Sequence, residues 1–214
     1  ITDADVSAKS FHFMDIQNID VGMVSCLAGR VSYTGDLGYE LWMTQDTQRT
    51  LLDLLLKEGS KFGAQFFGLR ALNSLRLEKS YGSWTTEYRP IYGPVEADLN
   101  RFVALGKKAD FIGKSSAIEE EMNGGKLRLR TFIVQAKDAD VIGEEPIWFR
   151  DEVKGWVTSG GYAHNSGVSV AMGYVPKELA DKKQDWYVEI LGERCPTILQ
   201  TEPLFDPKGE IIRG

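Results

Sequence analysis

The sequence predicts an α+β fold, in which a portion that mixes hairpins with helices is followed by a small antiparallel β-barrel or sandwich. Leu-rich segments with helical spacing occur before Met122, whereas short Val- and Ile-rich runs separated by turns fill the chain from Lys126 onward. With 214 residues, the chain is long enough for one large domain or two small ones. A Gly-Gly pair after an acidic helix end at 122–125 marks the boundary, which predicts domains at 1–124 and 125–214.

In the first part, residues 31–43 predict a β-hairpin. The central Gly-Asp-Leu-Gly at 35–38 supplies residues that tolerate positive φ, and the flanking residues favour an extended backbone. Successive strand side chains point to opposite faces, so Glu40 shares a face with Trp42. If the odd-numbered positions that follow the turn face the core, Glu40 lies on the accessible side.

Three helices are expected in the same part. The first covers Asp46–Lys57, with Thr44 or Asp46 as its N-cap, because Leu residues recur along one face and Gly follows. The second covers Phe67–Lys79, where Leu residues are spaced three apart. The third begins around Gly113 and runs through Met122, before the Gly pair ends it.

The second part contains six predicted strands, each short, rich in β-branched or aromatic residues and bounded by turn residues. They are Leu127–Gln135, Pro146–Arg150, Val153–Thr158, Val168–Val175, Trp186–Leu191 and Arg194–Gln200. This spacing is typical of a small antiparallel barrel or sandwich.

Composition excludes several classes of protein as the first interpretation. A formal net charge of -6 argues against a nucleic-acid partner. The only cysteines, Cys26 and Cys195, and the only histidines, His12 and His164, are too few and too separated to predict a disulfide framework or a metal site. The two separated cysteines fit a reducing compartment, and we expect a cytoplasmic location. No run approaches the roughly 20 apolar residues that span a bilayer, so we expect no membrane association. A start at Ile rather than Met suggests a processed or truncated product.

Glu40 is the candidate binding residue. A partly enclosed carboxylate can accept two parallel hydrogen bonds from a planar pair of donors, and such charge-assisted contacts are strong. The pyrimidinone edge of a pterin carries a pair of this kind. The alternative is that Glu40, like most hairpin acids, is a solvated surface group.

The segment Tyr33-Thr34-Gly35-Asp36-Leu37-Gly38-Tyr39-Glu40 resembles the Tyr-x-Gly-x-x-Gly-Tyr-Glu hairpin of the glycine cleavage T-protein family, the tetrahydrofolate-dependent aminomethyltransferases. Further segments resemble the family in the expected order. They are Gly68–Lys79, Pro94–Ala97, Ala109–Lys114, Val157–Tyr162 and Glu202–Gly214. The chain is most similar to the folate-binding C-terminal half of dimethylglycine and sarcosine dehydrogenases and oxidases.

The resemblance implies roles for particular residues. Glu40 and Tyr33 correspond to pterin-binding positions, and Tyr81 corresponds to a pocket aromatic. T-proteins have a folate-contacting arginine where this chain has Leu72. Arg70 lies about 200° away around a helix and cannot replace it, so the methylglycine-oxidising relatives are favoured.

By resemblance, the chain is the tetrahydrofolate-binding part of a one-carbon transfer enzyme and the C-terminal half of a flavin-dependent dimethylglycine or sarcosine oxidoreductase. Its partners would be a folate, a methylated-amine donor and an upstream domain of the same chain that holds FAD. The family's catalytic aspartate corresponds to no residue here, so the catalytic residues stay unassigned and the segment alone is expected to be inactive. The alternatives are a stand-alone aminomethyltransferase-like protein, a non-catalytic folate-binding regulatory module, and a sulfonium demethylase on the same scaffold.

Overall fold

The computed structural model, which describes residues Ile1–Gly214, divides the chain into two units. The first unit contains residues 1–75 and 205–214, and the second contains residues 76–204. None of the helices combines the length and the apolar character needed to cross a membrane.

Nine strands and four α-helices make up the regular structure. The strands are β1 (Ile16–Val21), β2 (Val24–Gly29), β3 (Glu40–Trp42), β4 (Leu127–Val134), β5 (Pro146–Phe149), β6 (Glu152–Ala163), β7 (Val168–Pro176), β8 (Trp186–Ile190) and β9 (Glu193–Gln200). The helices are α1 (Gln48–Gly59), α2 (Leu69–Glu78), α3 (Lys114–Asn123) and α4 (Glu210–Arg213).

The first unit is built on an antiparallel sheet with the order β1-β2-β3. A two-residue turn joins β1 to β2, and Gly22 supplies the positive φ of 59° that this turn needs. Helix α1 packs Leu51 against one face of the sheet, where Val21, Val24 and Cys26 are buried. This face forms the apolar core of the unit.

Arg30 follows β2 and joins distant parts of the first unit. Its Nη1 donates to the carbonyl of Val6 at 3.0 Å and to the hydroxyl of Tyr39 at 3.3 Å, and its Nη2 donates to the carbonyl of Arg213 at 2.7 Å. The side chain is buried, and all of these acceptors are neutral. Arg30 therefore ties the early residues and the last helix of the chain to the end of β2.

The second unit contains a closed antiparallel barrel with the strand order β4-β7-β6-β5-β8-β9. Its interior is filled by one cluster of buried apolar side chains that includes Phe132, Ile147 and Trp186. Strands β6 and β7 lie close together at Gly155, where an added Cβ would lie 2.1 Å from the carbonyl oxygen of Tyr174. The structure thus confirms the predicted α+β class and shows that the six predicted strands form a barrel rather than a sandwich.

The predicted hairpin over 31–43 is wrong in one respect. Strand β3 pairs with β2, in the register Gly29 to Glu40 and Leu27 to Trp42, and residues 31–39 form an irregular loop. Local side-chain hydrogen bonds explain the difference, because the Ser32 hydroxyl accepts from the amide of Thr34 and competes with strand pairing. Strands β1 and β2, which lie before residue 31, were both absent from the prediction.

Strand β6 is also longer than expected, because it continues to Ala163. Glycine inside a strand often marks a close approach of another part of the backbone, and Gly160 of β6 is such a position. The Gly160 amide donates to the carbonyl of Ile142 at 3.0 Å, and a Cβ there would lie 2.6 Å from a methyl of Val141. Because Gly160 has no side chain, the segment that contains Val141 and Ile142 can pack directly on β6.

Candidate functional site

Glu40 begins β3, and its backbone is fixed by pairing with Gly29. The side chain is exposed, and its carboxylate accepts no hydrogen bond from this chain. Leu41 turns to the opposite face and packs on the core cluster beneath α1, which confirms the predicted alternation. A carboxylate with both oxygens available is therefore presented by an ordered strand.

Trp42 lies on the same face as Glu40. Its ring extends over Gly29, where an added Cβ would come within 2.9 Å of the indole atom Cζ3. Since Gly29 pairs with Glu40, the indole lies next to the position from which the carboxylate projects. The arrangement combines a hydrogen-bond acceptor with an aromatic surface, which suits a flat heterocycle with polar edges.

The loop that precedes Glu40 contains Tyr33, whose side chain is half-buried. The loop is held by short-range hydrogen bonds, since the hydroxyls of Ser32 and Thr34 lie 2.7 Å apart and the Asp36 amide donates to Thr34 Oγ1 at 3.3 Å. Gly35 adopts a φ of 88°, which an ordinary side chain would oppose. The structure therefore places Tyr33 and Glu40 on one ordered loop and strand of the first unit.

Tyr81 lies in the second unit, directly after α2, and its side chain is half-buried. Its backbone is held on both sides by Arg76, whose carbonyl accepts from the Tyr81 amide at 2.9 Å and whose Nη1 donates to the Tyr81 carbonyl at 3.0 Å. Leu72, on α2, is half-buried and belongs to the first unit.

Glu87 is completely buried, and no local pattern in the sequence marks it as a special residue. Its carboxylate receives Nη1 of Arg76 at 3.1 Å, the hydroxyls of Thr158 at 2.5 Å and Ser159 at 2.6 Å, and further donors from residues 83 and 86. Burial raises the pKa of Glu87, but the Arg76 charge and the hydroxyl donors outweigh it, so the pKa lies below its usual value. No spacing in the sequence connects Glu87 with partners on β6.

The acid of the Pro94–Ala97 segment also has a structural role. Glu96 Oε1 accepts from the amides of Lys126 at 2.7 Å and Leu127 at 3.1 Å, where β4 begins. Glu120 of α3 accepts in turn from the amides of Val95 and Glu96, each at 3.1 Å. Both acids therefore hold backbone, in contrast to the available carboxylate of Glu40.

Comparison with known proteins agrees with this architecture. The profile of the GCVT N-terminal domain matches residues 1–107, and that of the glycine cleavage T-protein C-terminal barrel domain matches residues 128–206. The crystal structure of the glycine cleavage system aminomethyltransferase T from Bartonella henselae superposes with a TM-score of 0.81 and 25% identity, over 93% of this chain and 54% of that chain. The chain belongs to the glycine cleavage T-protein family.

Among curated relatives, mouse dimethylglycine dehydrogenase is 38% identical over 95% of this chain, and mouse sarcosine dehydrogenase is 27% identical over 100% of it. An aminomethyltransferase from Listeria welshimeri is 29% identical over 96% of the chain. The chain spans 24% of the length of each of the two dehydrogenases and 55% of the aminomethyltransferase. The family therefore joins amine dehydrogenases with aminomethyltransferases.

Proposed function

We propose that this chain is the tetrahydrofolate-binding part of a one-carbon transfer enzyme, and that the whole protein is a flavin-dependent oxidoreductase acting on dimethylglycine, sarcosine or a similar methylated amine. Its similarity to dimethylglycine and sarcosine dehydrogenases supports the enzyme class. Tetrahydrofolate, when bound, supplies the nitrogen that captures the one-carbon unit.

The observation that carries the proposal is the available carboxylate of Glu40. Buried acids such as Glu87 and Glu78 have their oxygens occupied by donors of the protein, whereas Glu40 is held in place and left without one. The pair of hydrogen-bond donors on a pterin edge complements the Glu40 carboxylate in geometry and charge. Strand pairing with Gly29 fixes the backbone of Glu40, so little backbone freedom is lost on binding.

The residues of this chain would bind and orient the folate. Glu40 would anchor the pterin edge, and Tyr33 would help to set its plane. Positioning of this kind lowers the barrier of a transfer reaction, because donor and acceptor no longer have to meet by diffusion. The flavin and the acid–base group would belong to parts of the longer protein outside these 214 residues.

Glu40→Gln in the full-length protein tests the proposal. The substitution keeps the shape of the side chain and removes its charge, so tetrahydrofolate binding should weaken by about 1.5 to 3 kcal/mol. Isothermal titration calorimetry measures the change directly.

Asp36→Asn is the matched control. It removes one negative charge from the same exposed loop, at a position that the family pattern leaves free, so the affinity should stay within experimental error. An unchanged affinity in Glu40→Gln, or an equal loss in both variants, would remove Glu40 from the site.

A further inference from the structure

A cavity of about 380 Å³ opens at one end of the barrel, beside the segment that follows β4. Its walls include Val134 of β4, Tyr162 of β6 and Ser169 of β7, together with Asp138 and Asp140 of the following segment. All of these residues belong to the second unit. The volume lies within the range of small-molecule sites in proteins, and neither residue that we propose to hold the folate contributes to the walls.

Ser169 turns its side chain towards the interior of the barrel. It pairs with Val134 on one side and with Tyr162 on the other, and both neighbours line the cavity. Ala171 lies two positions further along β7, and thus on the same face, and it belongs to the apolar cluster that fills the barrel. The side chain of Ser169 therefore lies where the packed interior of the barrel meets the cavity.

The hydroxyl of Ser169 is buried and has no hydrogen-bond partner in the protein. Only 5% of the residue is exposed. Buried hydroxyl groups in folded proteins are almost always paired, because an unpaired one has lost its hydrogen bonds to water without replacement. Thr197 shows the usual arrangement in the same barrel, since its buried hydroxyl donates to the carbonyl of Cys195 at 2.9 Å. The exception at Ser169 points to a group that enters the cavity and pairs with this hydroxyl.

The charged residues of the cavity favour a cation. Asp138 and Asp140 are exposed, and neither carboxylate forms an ion pair or accepts a hydrogen bond within the chain. Lys137 also lines the cavity, but its ammonium group is paired with the carboxylate of Glu193 at 3.2 Å. Tyr162 adds an aromatic ring to the wall, and aromatic faces attract cations. A positively charged molecule would therefore be attracted to the cavity, whereas an anion would be repelled.

We propose that this cavity binds a small organic cation that carries a second hydrogen-bonding group, as an amino alcohol does. The cationic nitrogen is attracted by Asp138 and Asp140, and the second group forms the missing hydrogen bond with Ser169. Carbon atoms between the two groups pack on Ile133 and Val168, which belong to the apolar part of the wall. A purely apolar molecule would leave the hydroxyl of Ser169 unpaired. The inference goes beyond the proposed function and does not rest on it.

A ligand-observed NMR titration of the full-length protein with matched probes tests the proposal. Aminobutanol carries both polar groups, butylammonium lacks the hydroxyl, and butanol lacks the charge. Aminobutanol should bind about tenfold more tightly than either of the others, because each of them gives up one polar contact. Failure of aminobutanol to bind, or an equal affinity for butanol, would overturn the proposal.

Substitutions assign the binding to this cavity. Ser169→Ala should reduce the affinity for aminobutanol to that for butylammonium, whose own affinity should not change. The double variant with Asp138→Asn and Asp140→Asn should weaken the binding of both cations about fivefold. Glu178→Gln removes a charge from an exposed position of the same unit, so it is the matched control and should change neither affinity. An equal loss of both cations in Ser169→Ala would contradict a hydrogen bond between this residue and the ligand.

The melting temperature without any probe gives a second measurement. Ser169→Ala should raise it by about 2 to 4 °C, because the substitution removes a buried hydroxyl that has no partner. Thr197→Val removes a buried hydroxyl that has one, so it should lower the melting temperature. An unchanged or lower value for Ser169→Ala would show that internal water satisfies the hydroxyl, and it would overturn the proposal.

The affinity for tetrahydrofolate separates this inference from the proposed function. None of the variants of Ser169, Asp138 and Asp140 should change it, because these residues do not belong to the folate site. A protein that binds aminobutanol in this way but does not bind tetrahydrofolate would support the cavity and refute the folate site. A parallel loss of tetrahydrofolate and aminobutanol binding in Ser169→Ala would contradict a separate site.

Discussion

Glu40 and Glu87 show how the surroundings of a carboxylate determine its role. Glu87 is buried and surrounded by donors from a guanidinium, hydroxyls and a backbone amide, so it stays ionised and fixed. Glu40 stands on an exposed strand position with no donor from the chain. The first residue stabilises the fold, and the second is available to a ligand.

Glu87→Gln should destabilise the second unit by about 3 to 5 kcal/mol, because the substitution removes the buried carboxylate that faces the guanidinium of Arg76 at 3.1 Å. Denaturant unfolding measures the change. Glu178→Gln, at an exposed position of the same unit, should have no effect.

The pKa of Glu87 is depressed in the folded state. Its contribution to the free energy of unfolding is therefore present above the usual pKa near 4.5 and is lost as the pH falls through the lower folded pKa. The variant should therefore show a smaller loss of stability with acid; parallel pH profiles for the two proteins would contradict this assignment.

The sequence could single out Glu40 as a candidate binding residue, but it could not predict the contacts of Glu87, for a physical reason. Glu40 lies in a local pattern of turn and strand residues, which can be recognised within 13 positions. The donors to Glu87 on β6 are 71 and 72 residues away along the chain. Contacts of this kind arise from the packing of the barrel and leave no periodic signal.

At the level of elements, the alternation of side chains along a strand predicted which face each residue occupies, but it did not predict which strand pairs with which. The pattern after the turn correctly placed Glu40 and Leu41 on opposite faces, because the pleat of a strand has a period of two. It did not reveal that β3 pairs with β2, since the choice of partner depends on how the intervening loop folds. The six barrel strands were predicted from their composition, but the pairing of β4 with β9 that closes the barrel is non-local.

Gly155→Ala should destabilise the barrel by about 1 to 3 kcal/mol, the usual cost of forcing an extra carbon into a packed site. The new Cβ would lie 2.1 Å from the carbonyl oxygen of Tyr174, so β6 and β7 would have to separate. Thermal unfolding followed by near-UV circular dichroism reports the change. Gly106→Ala, with no atom within 4 Å of the added Cβ, is the control and should match the parent protein. A similar melting temperature for both variants would show that the strands adjust without cost.

On the scale of the whole molecule, the division into domains is still a prediction. The two family profiles end and begin on either side of residues 122–125, whereas the contacts within the chain divide it after Leu75. Limited proteolysis should cut first at Met122–Gly125, an exposed helix end followed by a Gly pair. Mass spectrometry of the first fragments would identify the site. Initial cleavage at residues 63–68, which are also exposed, would contradict the boundary at Gly124.

The 214-residue chain alone should not form methylene-tetrahydrofolate from dimethylglycine or sarcosine. It spans only 24% of the length of the related dehydrogenases. The assay supplies tetrahydrofolate and the amine to the short chain and to the full-length protein with its flavin. Turnover by the short chain at a rate comparable to that of the full-length protein would require a catalytic group among these residues.

The contacts of Arg30 have a consequence for synthesis on the ribosome. Its guanidinium joins Val6 near the beginning of the chain to Arg213 near its end, and the first unit takes residues 205–214 from beyond the barrel. When β2 leaves the exit tunnel, one of the acceptors of Arg30 has not yet been translated. The barrel has all of its residues earlier, so it can fold before the unit that precedes it in the sequence. Among these 214 residues, the first unit is thus completed after the barrel.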